Sequence, residues 1–95
     1  MISIQQMNYI VVLSEELLFQ RASERCFVTQ PTLSMQIKKA EETLGYAIFD
    51  RDSNPLRLTP SGERLIPILR EILAETDQIK LLSEQLKGQV KIGRA

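Results

Sequence analysis

Between Thr29 and Lys39 the chain reads Thr-Gln-Pro-Thr-Leu-Ser-Met-Gln-Ile-Lys-Lys, and no acid follows until Glu41 and Glu42. These side chains are suited to hydrogen bonding with a polyanion. An amide such as that of Gln30 can pair with N6 and N7 of an adenine. The hydroxyls of Thr32 and Ser34 can meet a phosphate or a base edge, and the Thr32 methyl can touch the methyl of a thymine. Gln36, Lys38 and Lys39 suit backbone or base contact. Further on, Arg51, Asn54 and Arg57 could reach phosphates or an adjacent minor groove. On periodicity alone, however, a merely solvated face is the better explanation, because every soluble helix has one.

Other chemistries are thinly represented. The 95 residues contain no His and one Cys, Cys26. A zinc cluster of Cys and His is thereby excluded, as are an internal disulfide and any His-dependent triad. Ser34 and Ser61 have no base to activate them, and there is neither a Gly-x-Ser-x-Gly elbow nor a phosphate loop. No catalysis, cofactor or metal is expected. Cys26 reads as a small buried hydrophobe, with a redox or nucleophilic role as the alternative. No apolar run approaches the roughly 18–20 residues that cross a membrane, and no secretory signal is visible, so a cytoplasmic location is the default.

The elements that would position the polar set can be read from periodicity. Ile4, Met7, Ile10 or Val11, and Leu13 or Ser14 fall on one face of a helix from about Ser3, its N-cap, to Leu17. A short helix over Gln20–Phe27 carries the small residues Ala22 and Cys26. Thr29 caps a third helix, with Pro31 in its first turn. Leu33, Ile37, Ala40 and Leu44 form the core stripe of that helix, and Gly45 ends it. Tyr46–Phe49, a turn-rich Asp50–Pro55 and an alternating Leu56-Arg57-Leu58 suggest a two-stranded hairpin.

Thr59 and Pro60 then start a long helix to about Leu86, with Gly88 as its end. Leu65, Ile72, Ile79 and Leu86 recur every seven residues, with Ile68 and Leu82 between them. That heptad pattern predicts self-association through Leu65, Ile68, Ile72, Ile79, Leu82 and Leu86. Leu69, Leu73 and Leu81 are expected to be exposed beside this seam. Val90 and Ile92 alternate with Lys91 as a strand would, suggesting that another domain follows. The resulting division is 1–59 for a small domain, 60–88 for the helix and 89–95 for the start of a truncated effector-binding domain.

Helix, short helix, turn, helix and hairpin make the order of a winged helix-turn-helix: a mainly α fold, with a three-helix core and a two-stranded wing ahead of a long linker helix. In such folds the second helix of the motif enters the major groove. The stretch Phe27-Val28-Thr29-Gln30-Pro31-Thr32-Leu33-Ser34-Met35-Gln36-Ile37 resembles the recognition-helix signature of LysR-type transcriptional regulators. The resemblance continues through Glu41, Leu44-Gly45, Ile48-Phe49-Asp50-Arg51 and Leu58-Thr59-Pro60-Ser61-Gly62. Upstream, Met7-Asn8-Tyr9 and Phe19-Gln20-Arg21-Ala22 match the first two helices. It implies sequence-specific binding of double-stranded DNA at inverted repeats, with a recognition helix at about 30–44. Contacts are then expected from Thr29, Gln30, Pro31, Thr32, Ser34, Met35, Gln36, Lys38, Lys39, Arg51, Asn54 and Arg57. It also implies a homodimer through the last helix, a tetramer in some full-length members, and a small-molecule or redox effector bound only by a C-terminal domain beginning near Gln89-Val90-Lys91-Ile92-Gly93.

Three positions depart from the family pattern. Met35 stands where Arg is frequent, Asn54 where the hairpin often has a basic residue, and Ala40 where Leu is usual. The run Gln-Pro-Thr-Leu-Ser followed by an apolar residue is also similar to the peroxide-sensing branch of the family. Lys plus Arg and Asp plus Glu both number 12, a balance unlike that of most nucleic-acid binders. Affinity follows local charge within about 8–10 Å of the phosphates, so neutrality predicts weak non-specific binding and reliance on dimerisation. The rival reading is a protein-interaction module, in which the long helix is the active part. Under it, changes at Gln30, Ser34 or Lys38 alter nothing.

Overall fold

The computed structural model describes the backbone of residues 1–94 and the side chains of residues 1–88. Its elements are α1 (Ile4–Glu16), α2 (Phe19–Cys26), α3 (Gln30–Leu44), β1 (Phe49–Asp50), β2 (Arg57–Leu58) and α4 (Pro60–Arg94).

Each start and stop has a local cause. Ser3 and Gln6 form a reciprocal capping box, each side chain accepting the other's backbone N–H at 3.0 Å. Leu17 closes α1 and Phe27 closes α2 in the left-handed region, at φ 54° and 58°. Neither is glycine, so each conformation costs about 1–2 kcal/mol and must be held by the packing around it. The helices of the motif are thus joined by only Phe27, Val28 and Thr29. At the far end of α3, Gly45 takes φ 87° at no such cost.

The core gathers α1, α2, α3 and the start of α4 around Ile10, Leu13, Leu33, Ile37, Ile48 and Leu69, all nearly inaccessible. Tyr9 to Leu13 are buried consecutively, because α1 is covered by three other helices. Ile4, expected on the buried stripe, is 46% exposed, and Ile2 ahead of the cap fills the core in its place. Ala40 is fully buried on α3, so the smaller side chain at this position lies within the core.

β1 and β2 pair antiparallel, Phe49 opposite Leu58 and Asp50 opposite Arg57, and form the wing. Thr59 fastens this hairpin to α4. Its hydroxyl accepts the N–H of Gly62 at 3.0 Å and donates to the carbonyl of Ala47 at 2.6 Å. Gly62 lies so close to the Ile48 carbonyl that a Cβ there would overlap it. Arg70 binds Glu15 at 3.3 Å, tying α4 to α1.

α4 differs from its sequence reading in two ways. Leu69, expected to be exposed, is 2% exposed, and Ile66 is buried beside it; Leu65, Ile72 and Leu73 pack half-buried against the same core. The first half of α4 therefore completes the small domain, because a three-helix core of this size leaves an apolar side to cover. The helix also continues through Gly88 to Arg94, where a stop and a strand were expected. A strand requires a neighbour for its N–H and C=O groups, whereas a helix satisfies them internally. A helical glycine costs only about 1 kcal/mol. The long axis of the molecule is 59 Å, against 24 and 19 Å across.

Candidate nucleic-acid interface

α3 presents two faces of opposite character. Leu33, Ile37 and Ala40 are each fully buried, and that anchorage dictates which side chains point out. Gln30, Pro31, Met35, Lys38 and Lys39 are exposed, with Met35 at 50%. At the N-terminus Thr29 caps the helix by accepting the N–H of Thr32 at 3.2 Å, and its own hydroxyl donates to the Thr32 hydroxyl at 2.9 Å. Both threonine hydroxyls thus serve the cap, and the exposed Gln30 is held in the first turn.

Three residues expected to reach outward are held within the chain. Gln36 is half-buried, and its side-chain oxygen accepts from Gln6 of α1 at 3.2 Å. Arg51 reaches back from the wing to α3, where Nη1 donates to the Ser34 hydroxyl at 2.7 Å and Nη2 to the Ser34 carbonyl at 3.3 Å. Ser34 is accordingly half-buried under the Arg51 guanidinium.

The wing stands beside α3. Asn54 is exposed, and Arg57, with 72% of its side chain exposed, is 3.8 Å from Asp50. An open groove of about 660 Å³ between α3 and the wing is lined by Lys38, Arg51 and Arg57, and by the acids Glu41, Asp50, Asp52 and Glu63. The acids of α1 lie elsewhere: Glu15 and Glu16 each bind Arg25 of α2 at 2.9 Å. Lys38 and Lys39 are exposed on α3, and the acids Glu41, Asp50, Asp52 and Glu63 line the groove beside them.

Several residues that matter here were missed in the sequence. Glu41 accepts the N–H groups of Ile48 and Phe49 at 2.7 and 3.2 Å, fixing the start of the wing against α3. Phe19, at the start of α2, lines a shallow surface with Gln30, Pro31 and Ser34. Phe27 is 94% exposed in the turn of the motif. A glutamate four residues before a Gly-ended helix gives no sign of its partners, and a solvent-exposed Phe runs against its hydrophobicity. Cys26 is half-buried, and burial pushes its thiol pKa up, which keeps it neutral and fits the packing role.

On α4, Ile68, Ile79, Leu82 and Leu86 are 49–65% exposed, as is Leu81 at 53%. Leu65 and Ile72, placed in the same seam by their spacing, are half-buried against the domain core. Among the described residues no group of three or more possible metal ligands occurs, and no helix is long and apolar enough to cross a membrane.

This architecture has counterparts among known proteins. Residues 4–63 match the family described as "Bacterial regulatory helix-turn-helix protein, lysR family". The HTH-type transcriptional regulator EstR of Acinetobacter baylyi is 41% identical over 96% of this chain and 32% of its own length. A hydrogen peroxide-inducible genes activator of Haemophilus influenzae is 42% identical over 94% of the chain and 29% of its own. The chain thus spans about a third of the length of the curated relatives it matches. Among solved structures, a full-length OxyR variant from Pseudomonas aeruginosa superposes with a TM-score of 0.84 at 40% identity, covering 88% of this chain and 28% of that one. The DNA-binding domain of BenM, in complex with catB site 1 DNA, gives 0.84 at 29% identity, covering 90% and 96%. With helix, turn, helix and wing in this order, and with the family match covering more than half of its residues, the chain belongs to the LysR family of bacterial regulatory helix-turn-helix proteins.

Proposed function

We infer that this chain is the DNA-binding part of a bacterial transcription regulator that reads double-stranded DNA at inverted repeats. α3 enters the major groove, with Gln30, Pro31 and Met35 toward the base edges and Lys38 and Lys39 toward phosphates. Thr29 and Thr32 set the first turn at the groove, Ser34 adds a hydroxyl, and Gln36 braces α3 against α1. Arg57 and Asn54 of the wing take the neighbouring backbone or minor groove. The observation that carries this reading is the outward side of α3 from Gln30 to Lys39: amide, apolar and basic side chains with no acid before Glu41 and Glu42, beside a wing whose Arg57 side chain is largely exposed.

Two copies join through the exposed part of α4, around Ile68, Ile79, Leu82 and Leu86, with Leu65 and Ile72 bridging seam and core. An exposed apolar stripe of this extent calls for a partner, and a dimer places two recognition helices on the two halves of an inverted repeat. Residues 1–59 act as the reading domain and 60–88 as the linker. Residues 89–95 lead toward an effector-binding domain in the whole protein, where tetramer formation and response to a small molecule or oxidant reside. The chain works in the cytoplasm and catalyses no reaction.

Selection from a duplex library with a randomised central region tests the proposal. The 95-residue chain should enrich sequences with two inverted half-sites. Recovery of unrelated sequences by a folded, dimeric chain would favour the interaction-module alternative.

A further inference from the structure

One guanidinium joins three elements. Arg51 donates to the hydroxyl and carbonyl oxygens of Ser34 at 2.7 and 3.3 Å, and Nη2 is 3.7 Å from Glu41 Oε1. Its Cζ lies 5.4 Å from the centroid of the Phe19 ring, within cation–π range. The other oxygen of Glu41 holds the Ile48 and Phe49 N–H groups. The start of α2, the middle of α3 and the start of the wing therefore meet at Arg51, and the nearby carboxylate offsets its charge. A residue held in this way is poorly placed to release a counterion from a phosphate.

We propose that Arg51 is a positioning residue that acts through Ser34: it fixes α3 against the wing and orients the Ser34 hydroxyl as a hydrogen-bond donor. A guanidinium offers only donors, so the Ser34 oxygen must accept from it, and its single proton is left for a third group. That group must be an acceptor. In the major groove it can be G O6 or N7, A N7 or T O4, and cytosine offers only a donor there. The hydroxyl keeps a second lone pair, so accepting from Arg51 fixes the direction of its proton without by itself excluding a donor such as cytosine N4. The inference rests on α3 entering the groove.

The test compares wild type, Arg51→Lys, Arg51→Ala, Ser34→Ala and the Arg51→Ala/Ser34→Ala pair. Binding of a selected duplex and of an unrelated one is followed by fluorescence anisotropy across a salt series, after each variant is shown to be folded by circular dichroism. Lysine keeps the charge but cannot bridge both Ser34 oxygens and Glu41. Arg51→Lys should therefore lose specific over non-specific binding by about tenfold, the scale of one base-edge contact. Its salt dependence should match wild type, and removing Ser34 in addition to Arg51 should add little. Should Arg51→Ala fail to fold, Arg51→Lys with Ser34→Ala gives the same comparison. Restoration by lysine of both affinity and specificity, with a salt slope about 0.9 shallower in the alanine variant, would make Arg51 a phosphate contact and overturn the proposal. Absence of binding by wild type would instead defeat the parent reading.

Discussion

Gln30 and Lys38 are both exposed on α3, yet they should fail differently when removed. A Gln amide pairs with a base edge, so Gln30→Ala should cost about 1–3 kcal/mol on the preferred duplex and almost nothing on an unrelated one. An ammonium meets phosphate, so Lys38→Ala should weaken both duplexes alike and reduce the salt slope by about 0.9. Anisotropy titrations at several salt concentrations separate the two. The outward residues of α3 were legible because Leu33, Ile37 and Ala40 fix the helix's rotation. Which of the long polar side chains would turn back was not legible. Arg51 finds Ser34 across 17 residues and Gln6 finds Gln36 across 30, pairings set by tertiary approach rather than by spacing.

The elements depend on a few joints. Thr59 caps α4 and holds the wing through the Ala47 carbonyl, so Thr59→Ala should lower stability by about 1 kcal/mol or more, while Thr59→Ser should retain most of it. Gly62→Ala forces a methyl into the Ile48 carbonyl and should cost about 1–3 kcal/mol despite alanine's better helix propensity. Thermal melts followed by circular dichroism read both, and a Gly62→Ala chain as stable as wild type would refute the close approach. Caps were readable in advance at Ser3, Thr29 and Gly45, since each depends on a local side chain or on a glycine. The left-handed Leu17 and Phe27 were not, because nothing in a Leu or a Phe announces that conformation. The burial of Leu69 was hidden for a related reason. A heptad stripe marks an apolar face without saying how much of it the chain's own core consumes.

At the scale of the molecule, the first half of α4 completes the core and the second half is proposed to join two copies, so the two halves of its stripe should be separable. Leu69→Ala opens the core and should cost about 2–5 kcal/mol of folding stability. Ile79→Asp puts a charge on an exposed position, leaving the domain folded while halving the mass seen by light scattering. An unchanged mass would remove Ile79 from the seam. On the proposed reading, dimerisation would offset the balanced charge of the chain, because linkage makes the second contact effectively intramolecular. The most direct test of the account is fluorescence anisotropy of the 95-residue chain with a labelled inverted-repeat duplex, titrated from low to physiological salt. It should show saturable binding with a steep negative salt dependence, abolished by combining Gln30→Ala with Lys38→Ala at an unchanged melting temperature. A folded, dimeric chain that ignores the duplex at low salt, or binds it equally well without those two side chains, would contradict the assignment of α3 as the DNA-reading helix.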